Sequence, residues 1–344
     1  MSELRLQTTT GAPGSSILGI GDYRPSRVVP NADIVEAIDS SDEWIRDRSG
    51  IAERRVANEN ETIVYMAARA AQAALDHAGI AAEKVDQVIL ASVTYPTLTP
   101  AAAPIVATEL GITGAAAYDL SAACSGYTYG IAAADSAIRT GLSTYTLVIG
   151  VEKFSDFRNP TDRGTAFIFG DGAGAALVGP SPTAGIAQTI WGADGKHSDF
   201  IAQEPNWLEY RRRIENPNAT DEERRWPWIG MQGPSVFRWA SYTILDVARQ
   251  ALTAAGVTVN DIDVFIPHQA NVRIIDAMAK KLELPSHVIV AREDIAEMAN
   301  TSAASIPLAT ARLYREGRIR SGMLALQMGF GAGLTWAAQV VRLP

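Results

Sequence analysis

Ala74-Leu75-Asp76-His77-Ala78-Gly79-Ile80 is echoed 177 residues further on by Ala251-Leu252-Thr253-Ala254-Ala255-Gly256-Val257. The offset persists: Val85-Asp86 falls on Ile262-Asp263, and Leu147-Val148-Ile149 falls on Leu324-Ala325-Leu326. A glycine-rich pair, Gly170-Asp171-Gly172-Ala173-Gly174 and Gly329-Phe330-Gly331-Ala332-Gly333, matches at an offset of 159 residues, as if the first half carried extra chain in between. Single matches between common residues arise easily, but their shared order marks a duplicated chain. Each copy reads as an Ala-rich helix ending at a glycine suited to a left-handed cap, then a short β-branched strand, Val85 to Ala91 or Asp263 to Ile266. Tyr127, Ile131, Ala134 and Ile138 step by four, three and four, which places them on one buried face of a helix. Alternating strands and helices predict mainly parallel sheets covered by helices, hence two related α/β halves, residues 1–185 and 186–344.

Composition narrows the function. The 344 residues are 47% apolar and 20% charged, an ordinary globular balance. A net charge of −8 argues against a broad nucleic-acid footprint, so an anionic partner would need a local basic patch. The single cysteine, Cys124, excludes an internal disulfide and multi-cysteine zinc sites. His77, His197, His268 and His287 are scattered without a metal-binding spacing, so no metal is expected. Met1 to Ser16 has no signal-like apolar run, and Met323 to Val341 is interrupted by Gln327, Gln339 and three glycines, so the expectation is a cytoplasmic protein without a membrane segment. Gln203 to Trp228 is crowded with charge and broken by prolines, and reads as a surface excursion whose Trp207, Trp226 and Trp228 either line a cleft or pack at the surface.

Three residues carry candidate chemistry. Cys124 lies between the expected strand Ala116 to Leu120 and a helix beginning near Tyr127. The positive end of that helix would lower the thiol pKa, and free backbone amides would bind an oxyanion; the alternative is a buried cysteine acting as a small hydrophobe. His268 follows the strand Asp263 to Ile266 at the sheet edge where α/β ligands bind, or else is a satisfied structural histidine. Asn300 precedes a helical pattern as a possible N-cap, yet in the repeat register it falls opposite Cys124. Cys, His and Asn converging from two halves make an acyl-transfer set.

Ser121-Ala122-Ala123-Cys124-Ser125-Gly126-Tyr127, His268-Gln269-Ala270-Asn271, Asn300-Thr301-Ser302-Ala303-Ala304-Ser305 and Gly329-Phe330-Gly331-Ala332-Gly333 resemble the signatures of β-ketoacyl-[acyl carrier protein] synthase III. The resemblance runs from about Ile17 to Arg342. It implies a thiolase-like duplicated α-β-α-β-α layered fold, a homodimer, and no metal or redox cofactor. It further implies that Cys124 takes an acyl group from acyl-CoA, with an oxyanion hole from its own N–H and the Gly331-Ala332-Gly333 turn. A neutral His268 and Asn300 would then stabilise the enolate formed when malonyl-acyl carrier protein loses CO2. Trp44 and Arg163 would sandwich the adenine of CoA with Arg48 near its phosphates. Gln269, Arg273, Lys280 and Lys281 would meet the acidic carrier protein.

Three positions depart from the family pattern. Ala299 replaces a usual glycine, Pro234 a frequent asparagine, and Thr99 a bulky aromatic that closes the acyl pocket in many members, which predicts a primer larger than acetyl. The competing reading is a related acyltransferase or a starter-unit condensing enzyme of a polyketide pathway. A non-catalytic carrier-docking protein is a further alternative, against which the complete Cys-His-Asn set argues.

Overall fold

A computed structural model describes residues 6–344, which build two five-stranded sheets of one topology. The first half contributes β1 (Gly14–Tyr23), β2 (Gln87–Ala91), β3 (Ala116–Leu120), β4 (Thr146–Glu152) and β5 (Gly172–Ser181), ordered β1-β5-β4-β2-β3. The second contributes β6 (Ile190–Ala193), β7 (Val264–Pro267), β8 (Ile289–Val290), β9 (Leu324–Gly331) and β10 (Thr335–Arg342), ordered β6-β10-β9-β7-β8. Strand for strand the orders coincide. In each sheet three adjacent strands run parallel, β4-β2-β3 and β9-β7-β8, with β3 and β8 at the edge, and β5 and β10 pair antiparallel with both of their neighbours.

Seven helices matter here: α1 (Asp42–Ser49), α2 (Ile63–Ala78), α3 (Gly126–Thr140), α4 (Trp207–Glu215), α5 (Leu245–Ala254), α6 (Val272–Lys281) and α7 (Ser305–Arg315). The central layer is α3 and α7. Tyr127, Ile131, Ala134 and Ile138 of α3 join Ile306, Ala309 and Leu313 of α7 in one core with Val148 and Ala176 of the first sheet and Val264 and Ala325 of the second. Outside the first sheet lies α2, closed by Gly79 at φ +64°, with Ala67, Ala70, Ala71 and Ala74 fully buried. Its small residues, with Gly19 and Gly21 on β1, let helix and strand approach closely: a methyl group on Gly21 would stand 2.2 Å from the Ala70 carbonyl. Outside the second sheet α5 and α6 form the fifth layer.

Two details of the repeat differ from the sequence reading. Gly172 and Gly174 open β5, whereas Gly329 and Gly331 end β9, whose counterpart in the first half is β4. The glycine match is therefore one of composition, not of position. Likewise α3 and α7 begin 179 residues apart, so Ala303 occupies the place of Cys124, and Asn300 lies three residues earlier. The true equivalence shows in the backbone: Ala123 at φ +45° and Ser302 at φ +49° hold the same left-handed turn before each central helix. The charged excursion contains α4, capped by a box between Asn206 and Glu209, and a two-stranded ribbon, Ile201–Glu204 with Trp228–Met231. None of the described helices is long and apolar enough to cross a membrane.

Candidate active site

Cys124 sits in the tight turn joining β3 to α3, buried at 8% exposure. The turn is tied to the β9–β10 connection, because the Ser125 and Thr335 hydroxyls lie 2.7 Å apart and Thr335 also bonds the Ala122 and Ala332 carbonyls. That connection brings backbone against sulfur. A methyl on Gly331 would lie 2.8 Å from Cys124 Sγ, so only glycine fits there. The backbone N–H groups of Ala332 and of Cys124 itself favour the thiolate form of the sulfur, and they are the two donors from which an oxyanion hole could be built. Burial pushes the thiol up to about 12. The lowered pKa expected from the helix terminus is not realised, because full desolvation outweighs the Ser302 and backbone hydrogen bonds that favour thiolate.

His268 directly follows β7, its N–H on the Met328 carbonyl at 2.8 Å and its ring edge-on to Phe330 at 5.4 Å. Burial lowers its pKa to about 3, which keeps the imidazole neutral. Its Nδ1 lies 2.7 Å from Ser305 Oγ, and that oxygen already accepts the Gln269 N–H at 3.3 Å. The hydroxyl proton of Ser305 has no other acceptor among the described residues, so it goes to Nδ1 and leaves Nε2–H as the donor. Asn300 is fixed similarly. Its N–H bonds the Ile168 carbonyl at 2.8 Å, and its Oδ1 accepts Ser302 N–H at 2.8 Å, which leaves the Nδ2 hydrogens free. The preceding Ala299 adopts φ +55°, a conformation glycine takes without strain.

Cys124, His268 and Asn300 all line one cavity of about 1080 Å³, together with Phe330, Gly331 and Ala332. Trp44, Arg48, Trp207 and Trp226 line it as well. The chemical capacity is specific: a sulfur nucleophile, two N–H groups for its oxyanion, and two neutral side-chain donors for a second one. Among the described residues no group of three His, Cys, Asp or Glu is placed to hold a metal ion.

Residues 118–195 match the family model 3-oxoacyl-[acyl-carrier-protein] synthase III, and residues 252–343 match the model of its C-terminal part. A β-ketoacyl-[acyl-carrier-protein] synthase III of Streptomyces coelicolor is 50% identical over 342 residues, and one of Streptomyces glaucescens 51% over 340, each match covering 99% of both chains. The chain belongs to the β-ketoacyl-[acyl-carrier-protein] synthase III family. Among solved structures, the priming β-ketosynthase of the R1128 polyketide biosynthetic pathway superposes with a TM-score of 0.92 at 41% identity, over 99% of this chain and 98% of its own. The five layers are thus the thiolase-like fold, and the chain is a condensing enzyme of the acyltransferase type.

The other positions anticipated from the sequence are placed unevenly. Trp44, half-buried, has Arg48 over its ring at 5.5 Å and Arg163 at 5.1 Å, with Phe167 edge-on. An inserted ring needs contact on both faces, roughly 7 Å in all, so Arg163 must swing outward to sandwich an adenine. Thr99 is exposed and does not line the cavity of its own chain; Tyr95, Pro96 and Leu98 reach in from that loop instead. Gln269 is buried, its amide donating to the Pro267 and Ala291 carbonyls, and so cannot meet a carrier protein. Arg273 pairs with Asp47 at 2.8 Å, linking α6 to α1, and Asn271 donates to the Arg48 carbonyl at 2.9 Å. Lys281 donates to the Ser241 carbonyl and lies over Tyr242, while Lys280 is exposed. Sequence reasoning assigned no role to Ser302, Ser305 or Arg238, the last an exposed cation lining the cavity. The serines were visible only as members of the Asn300 motif.

Proposed function

We propose that the protein joins an acyl-CoA primer to malonyl-acyl carrier protein, giving 3-ketoacyl-acyl carrier protein and CO2. The observation that carries this reading is the lining of one cavity by Cys124, His268 and Asn300, with the Gly331-Ala332 backbone against the sulfur and both side-chain donors turned free. Cys124 attacks the primer thioester, its tetrahedral oxyanion held by the N–H groups of Cys124 and Ala332. CoA departs. The malonyl thioester then enters, and His268 Nε2–H and Asn300 Nδ2–H bind its carbonyl as the enolate forms on loss of CO2. The enolate attacks the acyl-cysteine. No step uses a cofactor.

Trp44, Arg48 and Arg163 serve the CoA end, an aromatic face with two guanidinium groups. The carrier protein docks on Arg273 and Arg238, which line the cavity, and on exposed Lys280 of the same helix as Arg273, basic groups on a protein of net charge −8. Two halves, 1–185 and 186–344, are supported by the end of β5 at Ser181 and the start of β6 at Ile190. A homodimer is supported by the open edge of β3, where Tyr118 is exposed, and by Val93 and Leu98 on the adjoining loop.

The likeness to the polyketide priming ketosynthase favours one second reading, a starter-unit condensing enzyme with the same chemistry and a different carrier. Incubation with a series of acyl-CoAs, followed by the mass of the Cys124 peptide and then addition of malonyl-carrier protein, tests both. The expected result is an adduct with branched or medium-length acyl groups and a 3-ketoacyl product. Strict preference for acetyl removes the primer assignment, and an adduct with no ketoacyl product replaces condensation by simple transfer.

A further inference from the structure

Below the three side chains of the site lies a carboxylate that the condensation scheme leaves unused. Glu152 ends β4 and is fully buried. Its Oε2 accepts from Thr94 Oγ1 at 2.6 Å, Ser92 Oγ at 3.2 Å and Val93 N–H at 3.1 Å, whereas Oε1 receives only Val93 N–H at 3.3 Å. It forms no ion pair among the described residues. Neighbouring Lys153 turns outward to Asp156 and the Asn58 carbonyl, and Asp171, at the entrance to β5, is engaged by Ser155 and the Ala57 N–H. The loop of residues 92–94 and the turn 302–304 bring no titratable group to it. Burial pushes the carboxyl up to about 7, against the pull of its hydrogen bonds.

Ser302 stands between Glu152 and Cys124. Its hydroxyl is buried without a hydrogen-bond partner and lines the cavity with Cys124, and its dipole favours the charged form of both the thiol and the Glu152 carboxylate. The strained φ of +49° and the Asn300 Oδ1 contact to its N–H hold it there. The attack on the primer needs such a group. Cys124 is protonated before reaction, and His268 presents an N–H, not a lone pair, to the cavity.

We infer that Glu152, reached through the Ser302 hydroxyl, accepts the Cys124 proton during acyl transfer. The S–H proton passes to Ser302 Oγ while the Ser302 proton passes to the Glu152 carboxylate. Sulfur forms its bond to the primer carbonyl carbon, the bond from that carbon to CoA sulfur breaks, and CoA leaves as a thiolate that takes a proton from solvent. Glu152 stays neutral through the life of the acyl-enzyme. When the enolate displaces Cys124 from the acyl group, the thiolate recovers its proton along the same path. One solvent proton is consumed per turnover, on CoA, and the buried pair is restored.

The inference rests on Cys124 being the acyl acceptor, and its test separates the two. Single-turnover labelling of Cys124 by radiolabelled acyl-CoA is followed by rapid quench from pH 5.5 to 9 in wild type, Glu152→Gln and Ser302→Ala. Wild-type acylation should rise through an inflection near pH 7. Both variants should lose the inflection and acylate roughly 100-fold more slowly at pH 7, a larger loss than in malonyl-carrier decarboxylation measured on the same samples. Folded variants with a wild-type rate overturn the relay, as does an inflection that survives in a slowed variant. Should Glu152→Gln not fold, Ser302→Ala decides, since it removes only a hydroxyl. If wild-type Cys124 takes no label, the acyl-enzyme reading itself falls.

Discussion

One hydroxyl decides which nitrogen of His268 carries the proton. Ser305 Oγ is occupied by the Gln269 N–H and has only Nδ1 to donate to, so the donor at Nε2 is set by a neighbour and not by the ring. Ser305→Ala removes that preference, and condensation should slow about tenfold, the worth of a hydrogen bond of about 1.4 kcal/mol. Acylation of Cys124 should be unaffected and Ser305→Thr should restore the rate. Steady-state condensation beside single-turnover acylation checks this; equal losses in both half-reactions would count against a role in setting the tautomer. Cys124, His268 and Asn300 were legible because each lies in a short stretch whose chemistry is local. Ser302 and Glu152 were not, because a role that joins residues 150 positions apart leaves no local pattern. Gln269 was misread for the same reason: nothing in its neighbours reveals that the Ala291 carbonyl occupies its amide.

At the scale of elements, the strands bearing the site followed from periodicity and the helix ends from glycine. Val85 to Ala91 and Asp263 to Ile266 became β2 and β7 with ends shifted by one or two residues, and Ala116 to Leu120 became β3. The ribbon formed by residues 201–204 and 228–231 was invisible, since its two strands are short, half-exposed and separated by α4. What β3 does with its free edge belongs to this scale. It pairs with β2 on one side only, none of its residues is fully buried, and Tyr118 is 38% exposed. A second copy placed edge to edge would satisfy the open backbone groups. Tyr118→Glu would set two carboxylates near each other across such a symmetric contact and should shift the protein from dimer to monomer at micromolar concentration. Sedimentation velocity reads this directly, and an unchanged sedimentation coefficient would place any dimer contact elsewhere.

Across the whole molecule, duplication puts the chemistry where two sheets and two central helices exclude water, and that exclusion imposes opposite pH dependences on the groups it buries. His268 has a folded pKa of about 3, against about 6.5 when unfolded. Below about 6.5 the unfolded chain binds a proton there that the native protein does not, so His268 makes stability fall as pH drops toward 3. Glu152, at about 7, and Asp171, at about 6, lie above their unfolded values of about 4.3 and 3.9. Their contribution is fully present below those unfolded values and is lost as pH rises through 6 and 7. Between about pH 4.3 and 6.5 the two trends oppose each other, which flattens the wild-type curve. Single substitutions should expose them. The Tm of His268→Gln, relative to wild type, should rise as pH falls from 7 to 5, whereas that of Glu152→Gln should rise as pH climbs from 5 to 8. Calorimetric scans at four pH values give both slopes, and parallel curves for the two variants would mean that neither group is as thoroughly buried in solution as the layered core requires.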